Sequence, residues 1–124
     1  MTSILIAIGG ALGALSRYEL GLWITNRWNH PFPLPTFIIN ISGAFLLGFL
    51  NILFIDKLNL SPHWRLGIGV GYLGAFTTFS TFGFEVFTLL EKGQYTTALS
   101  YVLLSILVGL CGVSLGVVLA RWLF

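Results

Sequence analysis

Between Gly74 and Phe82 the chain reads GAFTTFSTF, three threonines and a serine set among phenylalanines with no formal charge. Hydroxyls and aromatic rims in this pattern suit a small ion that must leave bulk water without falling into a deep charge well. Phe79 and Phe82 stand three apart, and Thr78, Thr81 and Phe82 share a helical face at i, i+3, i+4 spacing. A phenylalanine ring is negative on its face and positive at its edge. An edge turned to a passage therefore favours an anion, and a face favours a cation. Packing alone is the competing account of both rings; the surrounding hydroxyls weigh against it.

Three further polar residues stand in apolar company. Asn40 lies in PTFIINISGAF. Polar groups at membrane depth are costly unless paired or wetted, which leaves two accounts of this amide: an interhelical hydrogen bond, or a pore-lining NH2 that donates to an anion. Arg17 follows Gly13 by four residues and precedes Tyr18 and Glu19. It is either a snorkelling side chain paired with Glu19 or a fixed positive charge that concentrates anions in a vestibule. Glu85 follows the hydroxyl-rich stretch by about a turn, and either faces a vestibule or pairs with a cation.

The elements that must position these groups follow from composition. The chain has 124 residues, 56% hydrophobic and only 8% charged, whereas soluble domains are about one quarter charged. It reads as an all-α integral membrane protein. Four stretches reach the roughly 20 apolar residues that a spanning helix needs: about 3–25, 35–55, 64–90 and 96–123. The connectors NRWNHPFPLP, DKLNLSPH and EKGQYT are short and polar, so the expected organisation is one four-helix transmembrane domain over 1–124. Trp23, Trp28, Trp64 and Trp122 fall near the span ends, where amphipathic rings sit. The first apolar run has no preceding positive side chain, which argues against a cleaved signal peptide. A break is expected in the third span: glycine weakens a helix by about 1 kcal/mol, and Thr77 and Thr78 are N-cap types. One half-helix should end near Gly74 and another begin near Thr78. Such a break survives at membrane depth only inside protein or beside a cavity, and it frees carbonyls able to coordinate a cation.

Topology is poorly specified by charge. With four spans, Lys57, Arg65 and Arg121 share one side and Arg27 and Lys92 the other, with Arg17 ambiguous. Such a small difference does not fix orientation by the positive-inside rule. Insertion both ways, with two copies paired antiparallel, is therefore open beside a fixed orientation set by a weak bias. Gly9 and Gly13, Gly67 and Gly71, and Gly112 and Gly116 form GxxxG pairs; the repetition favours tight helix packing and an oligomer.

Taken together, GGALGALSRY (9–18), PTFIINISGAFLLG (35–48) and GYLGAFTTFSTFGFE (71–85) resemble the Fluc (CrcB-type) family of fluoride channels over three of four spans in order. The resemblance implies a dual-topology antiparallel homodimer in the bacterial inner membrane, with two pores for passive, selective fluoride export that relieves fluoride toxicity. By motif, Asn40 would be a pore donor, Phe79 and Phe82 the aromatic residues whose edges meet the ion, and Ser80 and Thr81 members of the same pore segment. Gly74 and Thr77 would give backbone carbonyls to a structural Na+ at the dimer centre, and Arg17 would line the vestibule. Tyr101 and Ser105, four apart on the fourth span, stand where a polar track is expected. Ala75 replaces a glycine frequent in the motif.

Two other functions compete. A four-span proton-coupled drug exporter needs a membrane-embedded carboxylate, for which Glu85 is the candidate, since Glu19 lies at the end of the first span. A scaffold subunit would conduct nothing. The sequence carries no HExxH, GxSxG, P-loop lysine or paired carboxylates, so neither an enzyme nor an ATP-driven pump is expected. Cys111 stands alone in an apolar run, His30 and His63 lie in connectors, and no basic block suggests nucleic acid.

Overall fold

The first helix, α1 (Thr2–Thr25), ends where the polar connector begins. That connector folds on itself: Trp28 Nε1 donates to the Phe32 carbonyl at 2.7 Å, and the Phe32 N–H donates to His30 Nδ1 at 3.1 Å. Helix α2 (Leu34–Ile52) starts with Pro35 in its first turn, where no N–H is needed, and continues as a π-helical turn, Leu53–Lys57. The third span opens with α3 (Pro62–Leu66), widens into a π-helical stretch over the glycine-rich Gly67–Leu73, and closes with the single turn α4 (Gly74–Phe76). Helix α5 (Phe79–Glu91) completes it. Gly93, at φ 73°, takes the left-handed position after α5, with Gln94 N–H bonded to the Leu89 carbonyl and Gly93 N–H to the Leu90 carbonyl. Helix α6 (Tyr95–Leu123) is the fourth span. This computed structural model describes residues 1–124, which form helices and short connectors without a strand.

The four helical stretches long and apolar enough to cross a membrane are Thr2–Thr25, Leu34–Lys57, Pro62–Glu91 and Tyr95–Leu123. The chain is a multi-pass membrane protein, and each span begins and ends within two residues of its expectation. Only 16 of 124 residues are buried, so most apolar side chains look outward, as they must when the surroundings are lipid.

Glycine sets the packing. Helix α1 lies along the first half of the third span, and α2 along α6. A methyl group added at Gly9 or Gly13 would overlap the Gly67 or Tyr72 carbonyl, and one at Gly48 or Gly116 would overlap the Val113 or Phe45 carbonyl. The GxxxG pairs expected to favour an oligomer are thus taken up inside the chain. Gly69 behaves differently: nothing lies within 4 Å of where its Cβ would be.

Candidate ion site

At Thr77 and Thr78 the backbone is extended, with ψ 159° at Thr77 and φ −151°, ψ 123° at Thr78. Thr78 then acts as the N-cap of α5, its Oγ1 accepting the Thr81 N–H at 3.2 Å. The same hydroxyl donates to Thr81 Oγ1 at 3.2 Å and lies 3.4 Å from Ser80 Oγ. Asn40 on α2 meets this peptide with both ends of its amide: Nδ2 donates to the Thr78 carbonyl at 3.0 Å, and Oδ1 accepts the Thr78 N–H at 2.8 Å. Of the two accounts of Asn40, the interhelical hydrogen bond is made; one Nδ2 hydrogen is left over.

The backbone consequence is specific. In an uninterrupted helix the Thr78 N–H would bond the Gly74 carbonyl and the Thr81 N–H the Thr77 carbonyl. Both donors go elsewhere, to Asn40 and to the Thr78 hydroxyl. The Gly74 and Thr77 oxygens are therefore without their helical partners, and neutral carbonyl oxygens are suitable ligands for a hard monovalent cation.

The expected site residues divide among three places. Asn40, Gly74, Thr77, Phe79, Phe82 and Ser105 line one cavity of about 410 Å3, together with Thr78 and small residues including Gly43 and Gly69. Phe79 is 84% exposed on this open face. Phe82 is anchored, its ring edge-on to Tyr101 at 4.9 Å between centroids and 5.7 Å from Phe79. Arg17 and Thr81 line a second cavity, of about 440 Å3, with Thr36 and again Thr78. The two cavities share Thr78 in their linings. Ser80 is exposed beside Thr78 and lines neither cavity. Tyr101 lines neither as well: it is fully buried against Leu89 and Ala98. Ser105, four residues on, faces the first cavity, so the pair is split between core and opening.

Glu85 lines a separate cavity of about 390 Å3, with Phe32 and Lys92, and its carboxylate is held by hydroxyls rather than by a cation. Its Oε1 accepts from Tyr101 Oη at 2.8 Å and its Oε2 from Thr36 Oγ1 at 3.0 Å. Thr36 went unnoticed in the sequence. The signal was there: Thr36, Asn40 and Gly43 follow i, i+4, i+7 spacing and form the stripe of α2 turned to the third span. Gly43 completes it, since a methyl there would overlap the Thr77 side chain.

Residues 4–117 match the family model described as CrcB-like protein, Camphor Resistance (CrcB). A protein of Acidobacterium capsulatum named fluoride-specific ion channel FluC is 45% identical over 116 residues, 94% of this chain and 93% of its own. A FluC of Roseiflexus sp. (strain RS-1) is 46% identical over 121 residues, 98% of each chain. FluC 2 of Symbiobacterium thermophilum is 47% identical over 118 residues, 94% of this chain and 96% of its own. Matched along nearly its whole length by the family model and by these relatives, the chain belongs to the CrcB-like family.

Proposed function

We propose that the protein is a passive, fluoride-specific channel that lets fluoride leave the cell and so relieves its toxicity. The carrying observation is the full-length similarity to relatives named fluoride-specific ion channels. The site supports it. Fluoride is small and strongly hydrated, so a pore must replace its water with donors, and binding must stay weak enough for exit. The first cavity offers one spare amide hydrogen of Asn40, the Ser105 hydroxyl and the rims of Phe79 and Phe82, without a formal charge among its lining residues. Arg17 in the neighbouring cavity, beside Thr81, supplies positive potential at the approach. The carboxylate that a proton-coupled exporter would need, Glu85, has both oxygens engaged by hydroxyls.

The working unit in this reading is an antiparallel homodimer of dual-topology subunits. Its seam is the open face that carries Phe79, Gly69 and Gly74: an exposed ring and two glycines where an added methyl would meet nothing outside the third span. A structural Na+ fits the donor set at the interruption of the third span. The Gly74 and Thr77 carbonyls of two copies would give it four oxygens, and the ion would supply a fixed positive charge that ties the subunits together.

Efflux from proteoliposomes loaded with fluoride or chloride tests the function. Fluoride should leave quickly and chloride should stay; equal flux of the two overturns the assignment. Phe79→Ile or Phe82→Ile should slow fluoride by about 10-fold or more, equivalent to roughly 1.4 kcal/mol on the barrier, with the dimer intact.

A further inference from the structure

We infer that Asn40 and Thr78 are positioning residues for the carbonyl cradle: the Asn40 amide takes the N–H that would cover the Gly74 oxygen, and the Thr78 hydroxyl takes the N–H that would cover the Thr77 oxygen. The inference rests on the cation reading above and assigns the residues that create the site.

The geometry leaves little alternative use for these groups. Asn40 and the Thr78 peptide exchange two hydrogen bonds, 2.8 and 3.0 Å, as two strand residues do. This ring holds Thr78 extended and satisfies its N–H and its carbonyl together. A primary amide presents a donor and an acceptor side by side; a leucine of similar size presents neither. At this depth an unpaired backbone N–H is strongly disfavoured, because no water is there to take its place. Without the amide, the Thr78 N–H is driven back to the Gly74 carbonyl, and that oxygen is covered. The second bond works by the same logic. Thr78 Oγ1 accepts the Thr81 N–H at 3.2 Å, and loss of the hydroxyl returns that N–H to the Thr77 carbonyl. Asn40 therefore braces the carbonyl cradle while its leftover hydrogen serves the first cavity.

The readout is thermal stability of the purified dimer in NaCl against N-methylglucamine chloride, apart from any flux measurement. Wild type should gain on the order of 5 °C in Na+. Asn40→Leu and Thr78→Val should each fold as dimers and lose most of this gain. Thr78→Ser, which keeps the hydroxyl, and Phe82→Ile, which leaves the extended peptide alone, should retain it. A full Na+ gain in both Asn40→Leu and Thr78→Val overturns the inference. Hydrogen exchange of the wild-type Thr78 amide covers the case in which the variants do not fold. Protection on the order of 100-fold supports the Asn40 bond, and exchange at the open-chain rate overturns it. No Na+ gain in wild type, with Thr78 protected, removes the cation reading and leaves the brace standing.

Discussion

Glu85 shows what a single residue requires at membrane depth. A carboxylate among helices is costly unless its oxygens find donors, and here one donor comes from α2 and one from α6. Tyr101→Phe keeps the ring in its fully buried place and removes only the Oη donor. We expect it to destabilise the folded protein by about 1–3 kcal/mol, measured by denaturant unfolding in detergent, and Thr36→Val to cost a similar amount. In a Glu85→Gln background the cost of Tyr101→Phe should change by about 0.5–3 kcal/mol, since residues in one network do not act additively. Independent, additive effects would show that the short distances carry no coupling. The stripe of Thr36, Asn40 and Gly43 was legible in the sequence, but its pairing with Glu85 was not, and Glu85 had two open accounts. Its partners lie 49 positions away on α2 and 16 positions away on α6, and pairing between spans leaves no local pattern to read. Asn40 and Thr78 were legible as residue types and illegible as a pair for the same reason.

At the scale of the helix, span ends were legible because they depend on local chemistry: apolar length, proline in first turns, tryptophan at the edges. The π-helical stretches Leu53–Lys57 and Gly67–Leu73 were not, since a shift from i−4 to i−5 bonding leaves the apolar pattern almost unchanged. The use of the glycines was half legible. Their spacing announced close approach, yet it could not say whether the approaching helix belonged to the same chain. The structure separates two classes, and substitution should too. Gly116→Ala drives a methyl into the Phe45 carbonyl on α2; we expect a loss of about 1–3 kcal/mol, as for other overpacked cores. Gly69→Ala meets no atom within 4 Å in its own chain, and alanine is the better helix former by about 1 kcal/mol. The isolated subunit should be as stable as wild type or slightly more so. Because Gly69 lies on the proposed seam, the same change should weaken dimerisation, read by cross-linking at graded protein-to-lipid ratios. Unchanged association would move the seam elsewhere.

For the whole molecule, the shape is open. The accessible surface is 7664 Å2, against about 6,600 Å2 for a compact soluble chain of this mass. Grooves beside Phe79 and Arg17 contribute part of the excess. In lipid such a face gains little from hydrophobic association, and the two copies of the proposed dimer would instead have to fit closely. The proposed antiparallel pair needs subunits in both orientations, and a nearly even charge balance would permit this. With Lys57, Arg65 and Arg121 on one side and Arg27 and Lys92 on the other, removing two charges should commit insertion. Arg27→Gln with Lys92→Gln should place both termini in the cytoplasm. Lys57→Gln with Arg121→Gln and Asn29→Lys should place them outside, with Arg65 kept because its Nε is buried. Either set alone lacks its inverted partner, and fluoride efflux from such cells should fall by about 10-fold or more, on the scale of 1.4 kcal/mol or more of lost assembly. Expressed together, the two sets should restore it, with tags mapping each set to its own side. Full efflux from either set alone would mean that one orientation suffices, and the antiparallel pair would have to be abandoned.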